Sequence, residues 1–388
     1  MDKRTRVVVV GGGYAGVMAA NRLTRSDDVV VTLVNSQGEF VERIRLHQRA
    51  AGTHDAVRDY REVLNERVRL VTDDVVRIDA SDRKVVTARG GGLEYDYLIY
   101  AVGSVSGTPD VPGADEFAYP LASLAEAQRL HDVLAATPAA EVTVVGGGAT
   151  GIETAAELAE VGHSVTLVCG RTLGPYLHPS GRRTVARRLA RLGVTMLTGP
   201  DAAVTEVTRD AVRLRDGRVL AGAVTVWTAG FEAAGLAARS GLRTDAAGRL
   251  ITDATLTSLD DDRILAAGDA AAPMGLELRM SCQAAGPLGA HAADTVLHRI
   301  AGSPAEQMSL GFNGLCLSLG RRAGVFQFAS AGDDAKRLHL RGGIGAKVKE
   351  FVCVHTIGQL VSEAAKPGSF SWKRGQQPEA APALSASR

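Results

Sequence analysis

At 388 residues the chain exceeds what one hydrophobic core usually covers, so two or three domains are expected. A composition of 45% hydrophobic and 22% charged residues is ordinary for a soluble globular protein, and a net charge of +1 offers nothing to a polyanion, which sets nucleic-acid binding aside. The four cysteines, Cys169, Cys282, Cys316 and Cys353, lie far apart with no CxxC or metal-ligand spacing, so no metal site is expected and reduced thiols point to a cytoplasmic setting.

Residues 7–10 are a continuous valine run, as a buried parallel strand requires. A glycine turn follows, then a helix whose Val17, Ala19, Ala20 and Leu23 can pack on the sheet, then a second strand over 29–34. "VRLVTDDVVRIDASDRKVVT" and "YDYLIYAVGS" read as further strands, the last ending in a turn at Gly103. The Pro/Gly-rich stretch "GTPDVPGADEF" (107–117) marks a boundary, after which the strand–turn–helix pattern restarts at Glu141. It closes near "VTVWTAGF" (224–231), and another buried strand follows over 264–267 before Gly268 and Asp269. From about residue 310 a strand–turn–strand is predicted, then an amphipathic helix over 344–362 and a disordered tail over 374–388. The N-terminus "MDKRTR" has no signal-peptide character, and no apolar run approaches the roughly 20 residues that span a bilayer.

Gly11, Gly13 and Gly16 form GxGxxG between a strand and a helix. In that context the glycines serve a tight turn, close approach to a pyrophosphate, and helix–sheet packing, with the helix N-terminus offering unpaired N–H groups to phosphate. Gly146, Gly148 and Gly151 repeat the arrangement. Two complete fingerprints imply two dinucleotides held together, one as a resident flavin and the other presenting NAD(P)H to it.

The order of "GGGYAG", "YDYLIYAVGS", "GGGATGIE", "VWTAGF" and "ILAAGD" resembles the pyridine nucleotide–disulfide oxidoreductase superfamily over about residues 5–365. The resemblance implies an α/β fold with two Rossmann-like dinucleotide-binding domains and a small C-terminal α+β segment. The implied division is a flavin domain over 1–112 and 244–308, an NAD(P)H domain over 113–243, and C-terminal strands and helix over 309–373. Implied cofactors are FAD and either NADPH or NADH. The implied cofactor-binding residues are Gly11, Gly13, Tyr14, Ala15, Gly16, Asn35, Arg43, Val75, Gly103, Asp269 and Gln283, with Gly146, Gly148, Thr150, Gly151, Arg171 and Gly230 completing the set. Asp269 would bond the flavin's ribityl chain and the backbone at Val75 the adenine. Asn35 stands where an acid usually holds a ribose hydroxyl; its amide oxygen still accepts one bond, so FAD is expected to survive the change.

Disulfide-active branches carry CxxxxC after the first βαβ unit, whereas this chain has "NSQGEFVERIRLHQRAAG" there. The stretch, with "VWTAGF", "SCQAAG" and "LSLGRRAGVFQF", looks like the type II NADH:quinone dehydrogenase branch, with apoptosis-inducing-factor-like and ferredoxin-reductase proteins as neighbours. The implied activity is hydride transfer from NAD(P)H to flavin and electron delivery to a quinone-like acceptor. A soluble reductase of an aromatic or quinonoid intermediate, a ferredoxin-type reductase, and a redox-responsive binding module are the alternatives. Sulfide:quinone chemistry needs paired cysteines at the flavin, and only Cys282 is placed near it by this reading.

Glu153, Gln283 and His47 are the candidate catalytic residues. Glu153 is expected near the meeting point of nicotinamide and flavin, kept ionised by Arg43 or Arg45; alternatively Glu153, Glu157 and Glu160 form a solvated helical face. Gln283, behind a Ser281 N-cap, either lines an acceptor pocket or belongs to a plain capping turn. Pro287 would kink or restart that helix. His47 is either a proton donor or a structural histidine.

Cys169 replaces the acid that excludes a 2′-phosphate, and Arg171, with Arg182 or Arg183, would attract one, so NADPH and NADH both stay open. In the 344–362 helix Val348, Phe351, Val352 and Leu360 are read as one apolar face flanked by Lys347 and Lys349, suited to peripheral contact with the inner face of a membrane, to a homodimer, or to packing on the body.

Overall fold

In the computed structural model, which describes residues 4–107 and 110–375, the N-terminal valine run forms β1 (Thr5–Val10). Val7 to Val10 are at most 3% exposed, the environment in which β-branched side chains favour an extended backbone. The chain turns through Gly11 into α1 (Tyr14–Leu23), returns as β2 (Val29–Asn35), and adds β3 (Val68–Thr72) and β4 (Tyr97–Tyr100). With a late strand at Ile264–Ala266 they form a parallel sheet in the order Ile264–Ala266, β4, β1, β2, β3.

The pattern is then built again from β5 (Ala118–Pro120), β6 (Glu141–Val145), α2 (Ala149–Glu160), β7 (Ser164–Val168), α3 (Pro179–Arg191), β8 (Thr195–Leu197) and β9 (Val224–Trp227). Its sheet order is β5, β9, β6, β7, β8, also parallel. Val145 stands opposite Val168 as Val10 stands opposite Val34, so Cys169 holds in the second unit the place of Asn35 in the first. Each sheet runs on into a three-stranded antiparallel meander, over Val75–Asp79, Lys84–Thr87 and Gly92–Glu94 in one case and Val204–Val207, Ala211–Leu214 and Val219–Ala221 in the other. Where the chain leaves the first unit and returns to it, Ser104–Ser106 pairs antiparallel with Phe231–Ala233. The α/β class with two Rossmann-like units is therefore as expected.

The returning strand, β10 (Ile264–Ala266), leads to α4 (Cys282–Ile300), capped by the Ser281 side chain accepting from Ala284 N. The helix runs on unbroken through Pro287, whose missing N–H forgoes the bond to the Gln283 carbonyl, so of the expected kink or restart the restart does not occur. After it come β11 (Gly314–Ser318), β12 (Gly324–Ala329) and β13 (Ala335–Arg341), an antiparallel sheet. The third strand is absent from the sequence reading because its largely polar "AKRLHLR" lacks a buried apolar face.

The final helix, α5 (Gly342–Ala365), is longer than the predicted 344–362 and presents a different face inward. Gly345, Lys349, Cys353, Ile357, Leu360 and Glu363 are buried, whereas Phe351 is 64% exposed together with Ile344 and Val354. The reading that grouped Phe351 with Leu360 and left Lys349 at the margin is thus corrected. Polar partners decide the rotation: Glu363 accepts from Arg22 at 3.3 Å, and the Leu360 carbonyl accepts from Asn21 Nδ2 at 3.2 Å, so α5 docks on α1 by bonds that hydrophobic periodicity does not register. Ile357 and Leu360 join the core of the first unit, while Leu317 of β11 and Val325 of β12 join that of the second. Of the tail 374–388, Arg374 pairs with Glu306 and Gly375 bonds Ser309; residues 376–388 lie outside the described residues. Among the described residues no helix is long and apolar enough to cross a membrane.

Candidate functional site

Both glycine turns leave their helices without a side-chain cap, at Gly13 before α1 and at Gly148 before α2. The first-turn N–H groups are therefore unpartnered donors that carry the positive end of each helix dipole. Space is open where a Cβ would project from Gly13 and Gly148, while a Cβ at Gly16 or Gly151 would run into the carbonyl oxygen of Gly11 or Gly146. Gly11 and Gly146 hold φ of +105° and +131°, which side chains rarely adopt. Two such open cradles, each with uncapped donors, fit two pyrophosphates.

Around the first cradle, Asn35 turns inward: its Oδ1 accepts from Gly12 N at 2.9 Å and its Nδ2 donates to Gln37 O at 2.9 Å. Tyr60 closes the turn from the other side by donating to Gly12 O at 2.8 Å. Tyr14 is buried with an unpartnered hydroxyl, Ala15 lies beneath α4, and Val75 starts the meander after β3. Arg43 Nη1 donates to Ser104 O at 2.5 Å, and Ser104 Oγ donates to Asp269 Oδ2 at 2.8 Å, which joins Arg43, the residue after Gly103, and Asp269 in one chain of bonds. Burial pushes the Arg43 guanidinium down against the pull of Asp269. Around the second cradle, Thr150 O accepts from Thr154 Oγ1 at 2.7 Å, Gly230 O accepts from Gly107 N at 2.9 Å, and Arg171 is exposed.

Between the units lies a buried charged cluster. Glu153 Oε1 is 2.9 Å from Lys349 Nζ and accepts from Ser318 N at 2.8 Å; Glu153 Oε2 is 3.9 Å from His47 Nδ1. One side chain thus ties α2 to β11, α5 and the short helix Leu46–Ala50. Burial alone would push the Glu153 carboxyl up, but Lys349, His47 and the Ser318 N–H outweigh it and hold it below the usual range. Lys349 is correspondingly held well above its ordinary value by Glu153 against the opposite effect of burial. His47 is pushed down to about 4 by burial, with Lys349, Arg321 and Arg45 adding to the effect and Glu153 opposing it, so its ring is neutral near pH 7.

The counter-charge of Glu153 is therefore Lys349, not Arg43 or Arg45. Arg45 is committed to Glu42 at 3.1 Å and to Glu350 at 2.6 Å, and Arg43 to Ser104. Nor is the glutamate face solvated: Glu157 is buried, accepts from Thr53 Oγ1 at 2.6 Å and is pushed up by burial, and only Glu160 reaches the surface, where it pairs with Arg188. With its amide oriented so that nitrogen meets acceptor and oxygen meets donor, Gln283 donates to Gly314 O at 2.9 Å and accepts from Asn313 N at 2.8 Å, at the start of β11. Lys349 was missed because a lysine in "AKVKEF" reads as a flanking surface charge. The signal was its place four residues before Cys353 and eight before Ile357 on one helical face.

The fold also gathers Cys282, Cys316 and Cys353 around Lys349, which widens the reading that only Cys282 approaches the site. All four cysteines are free thiols, and burial pushes Cys282 up to about 12 and Cys353 up to about 11. They hold their protons at neutral pH. Among the described residues no group of three or more His, Cys, Asp or Glu is placed to hold a metal ion.

Residues 5–289 match the family described as pyridine nucleotide-disulphide oxidoreductase. An NADH dehydrogenase-like protein of Mycobacterium tuberculosis is 32% identical over 351 residues, covering 83% of this chain and 87% of that protein. A type II NADH:quinone oxidoreductase of Staphylococcus saprophyticus is 27% identical, covering 83% and 89%. The fold is shared with NDH2 of Plasmodium falciparum in complex with NADH (TM-score 0.76, 15% identity, 95% and 99% covered) and with the sulfide:quinone oxidoreductase of Aquifex aeolicus (TM-score 0.77, 17% identity, 92% of each chain). With two uncapped glycine cradles on two parallel sheets and a family match over most of its length, the chain belongs to the pyridine nucleotide-disulphide oxidoreductase family.

Proposed function

We propose that this chain is an FAD-dependent NAD(P)H oxidoreductase that delivers electrons to a quinone-like small acceptor. The observation that carries the reading is the pair of open glycine cradles on two sheets of one chain, with a buried charged cluster, and no disulfide, between them. The relatives named as NADH:quinone oxidoreductases support the donor and the acceptor class.

Gly11, Gly13 and Gly16 would hold the FAD pyrophosphate at α1, with Arg43, Ser104 and Asp269 along the ribityl side; Gly146, Gly148 and Gly151 would hold the nicotinamide coenzyme at α2. When bound, FAD supplies the carrier that takes a hydride from nicotinamide and releases electrons to the acceptor. The chain itself supplies fixed charge. The Lys349 ammonium, in a site closed to bulk water, favours negative charge developing on an acceptor oxygen and holds a proton at Nζ. Glu153 Oε1 positions that ammonium, and His47, neutral, stands beside the carboxylate with Nδ1 3.9 Å from Oε2. Gln283 positions the start of α4 against β11. Three protonated thiols favour electron entry by nicotinamide over entry by a thiolate. The outward face of α5, with Ile344, Phe351 and Val354 exposed, supports peripheral contact with a membrane that carries the quinone, and it is equally the surface a homodimer would use.

Anaerobic addition of NADH to the flavin-loaded protein is expected to bleach the flavin absorbance, and a water-soluble quinone to restore it over many turnovers. Protein that binds no flavin, or that is reduced once and not reoxidised by quinone, overturns the reading.

A further inference from the structure

The two cradles differ where their second strands end. In the first unit the residue after Val34 is Asn35, which bonds back into the turn at Gly12 N. In the second unit the matching residue, Cys169, makes no such bond; its Sγ meets only the Leu167 carbonyl of its own strand, at 3.8 Å. Cys169 lies against the glycine turn, since a Cβ on Gly147 would stand 2.8 Å from its carbonyl oxygen and 3.0 Å from its Cβ. It is 7% exposed, and burial pushes it up to about 12, so it is uncharged. Position 169 therefore lacks the carboxylate that would pair with a ribose diol or repel a phosphate on it.

Beyond Cys169 the chain is positively charged, and Arg171 and Arg182 have donors to spare. Gly170, at φ +61°, turns the chain outward, and Arg171 is exposed with no hydrogen bond or ion pair among the described residues. The next helix, α3, carries Arg182 and Arg183 near its start, while Arg188 farther along is committed to Glu160 and to the Leu319 carbonyl. Arg182 donates from Nη2 to Leu177 O at 3.3 Å, and its Nε is buried without a partner. Asp201, on the turn after β8, is the carboxylate brought toward this end by the bond from Gly199 N to Gly170 O at 2.8 Å, and its charge acts on Arg218. A guanidinium with free donors suits a phosphate dianion through paired, charge-assisted bonds.

We infer that the second cradle accepts NADPH, with Arg171 pairing with the adenosine 2′-phosphate beside the uncharged Cys169. The inference rests on the function proposed above, because it assigns the nicotinamide coenzyme to the second cradle. It is tested by binding as well as by turnover. Calorimetric titration of the flavin-loaded protein with adenosine 2′,5′-bisphosphate and with 5′-AMP is expected to favour the bisphosphate by about tenfold or more. Arg171→Ala should lower that ratio toward one, and Cys169→Asp should invert it, with Cys169→Ser, uncharged, keeping the ratio of the parent if the aspartate variant does not fold. The ratio of kcat/KM for NADPH and NADH should move in the same direction. Equal binding of the two nucleotides, or a ratio that Arg171→Ala leaves in place, overturns the inference. If that result comes with rapid flavin reduction by NADH, the function stands; if neither coenzyme reduces the flavin, the function fails and the binding ratio still decides the phosphate contact.

Discussion

Lys349 Nζ lies 2.9 Å from Glu153 Oε1, with both side chains no more than 10% exposed, and this contact joins α5 to α2, the helix that follows the second glycine turn. A buried pair of this kind is neutral as a unit and costly when halved.

Removing one partner should therefore destabilise far more than removing both. Lys349→Met is expected to cost about 3–5 kcal/mol in denaturant unfolding, because it leaves the buried Glu153 without its counter-charge. The double variant Glu153→Gln, Lys349→Met should recover most of that loss. Additive losses in the double-mutant cycle would show that the two side chains do not interact.

His47 sets a pH dependence of stability. Its folded value of about 4 lies below the ordinary 6.5, so the unfolded chain binds more protons between those values. Stability from this group is complete above pH 6.5 and is lost as pH falls toward 4. The full loss is on the order of 3 kcal/mol by linkage. His47→Gln should flatten the fall of Tm over that window; a slope identical to that of the parent would place the titration elsewhere.

The two glycine cradles should fail separately. A Cβ at Gly151 would run into Gly146 O and crowd Thr228 Oγ1, so Gly151→Ala is expected to keep the flavin yet lose at least tenfold in affinity for the nicotinamide coenzyme. Gly16→Ala should instead yield protein with little bound flavin. The measurement is the ratio of flavin to protein absorbance, followed by coenzyme titration. Loss of flavin from the Gly151 variant would reverse the assignment.

The exposed face of α5 offers a third separation. Phe351→Glu with Val354→Glu should abolish sedimentation with anionic phospholipid vesicles while leaving the thermal midpoint within a few degrees, since neither residue is buried. Unchanged sedimentation would remove this face as the membrane contact. A parent that is dimeric in solution and a double variant that is monomeric would assign the face to self-association.

Much of the fold was legible in the residues because its signals are local. A valine run, a glycine turn and a small-residue helix specify a strand–turn–helix wherever they occur, and their second appearance at Glu141 called for a second sheet. The same holds for the open cradles, whose geometry follows from glycine itself. The rotation of α5 was not legible, since Lys349 and Glu363 face inward against the hydrophobic pattern, held there by Glu153 and Arg22 from distant parts of the chain.

The amino-acid sequence by itself determined the two nucleotide cradles, the missing acid at Cys169 and the absence of a CxxxxC relay, because each depends on residue type within a short span. Only the tertiary structure decided that Lys349 neutralises Glu153, that His47 is neutral, and that three thiols come within reach of the Lys349 charge. Those properties depend on burial and on charges brought together from separate segments, and a pKa belongs to the surroundings of a group as much as to the group.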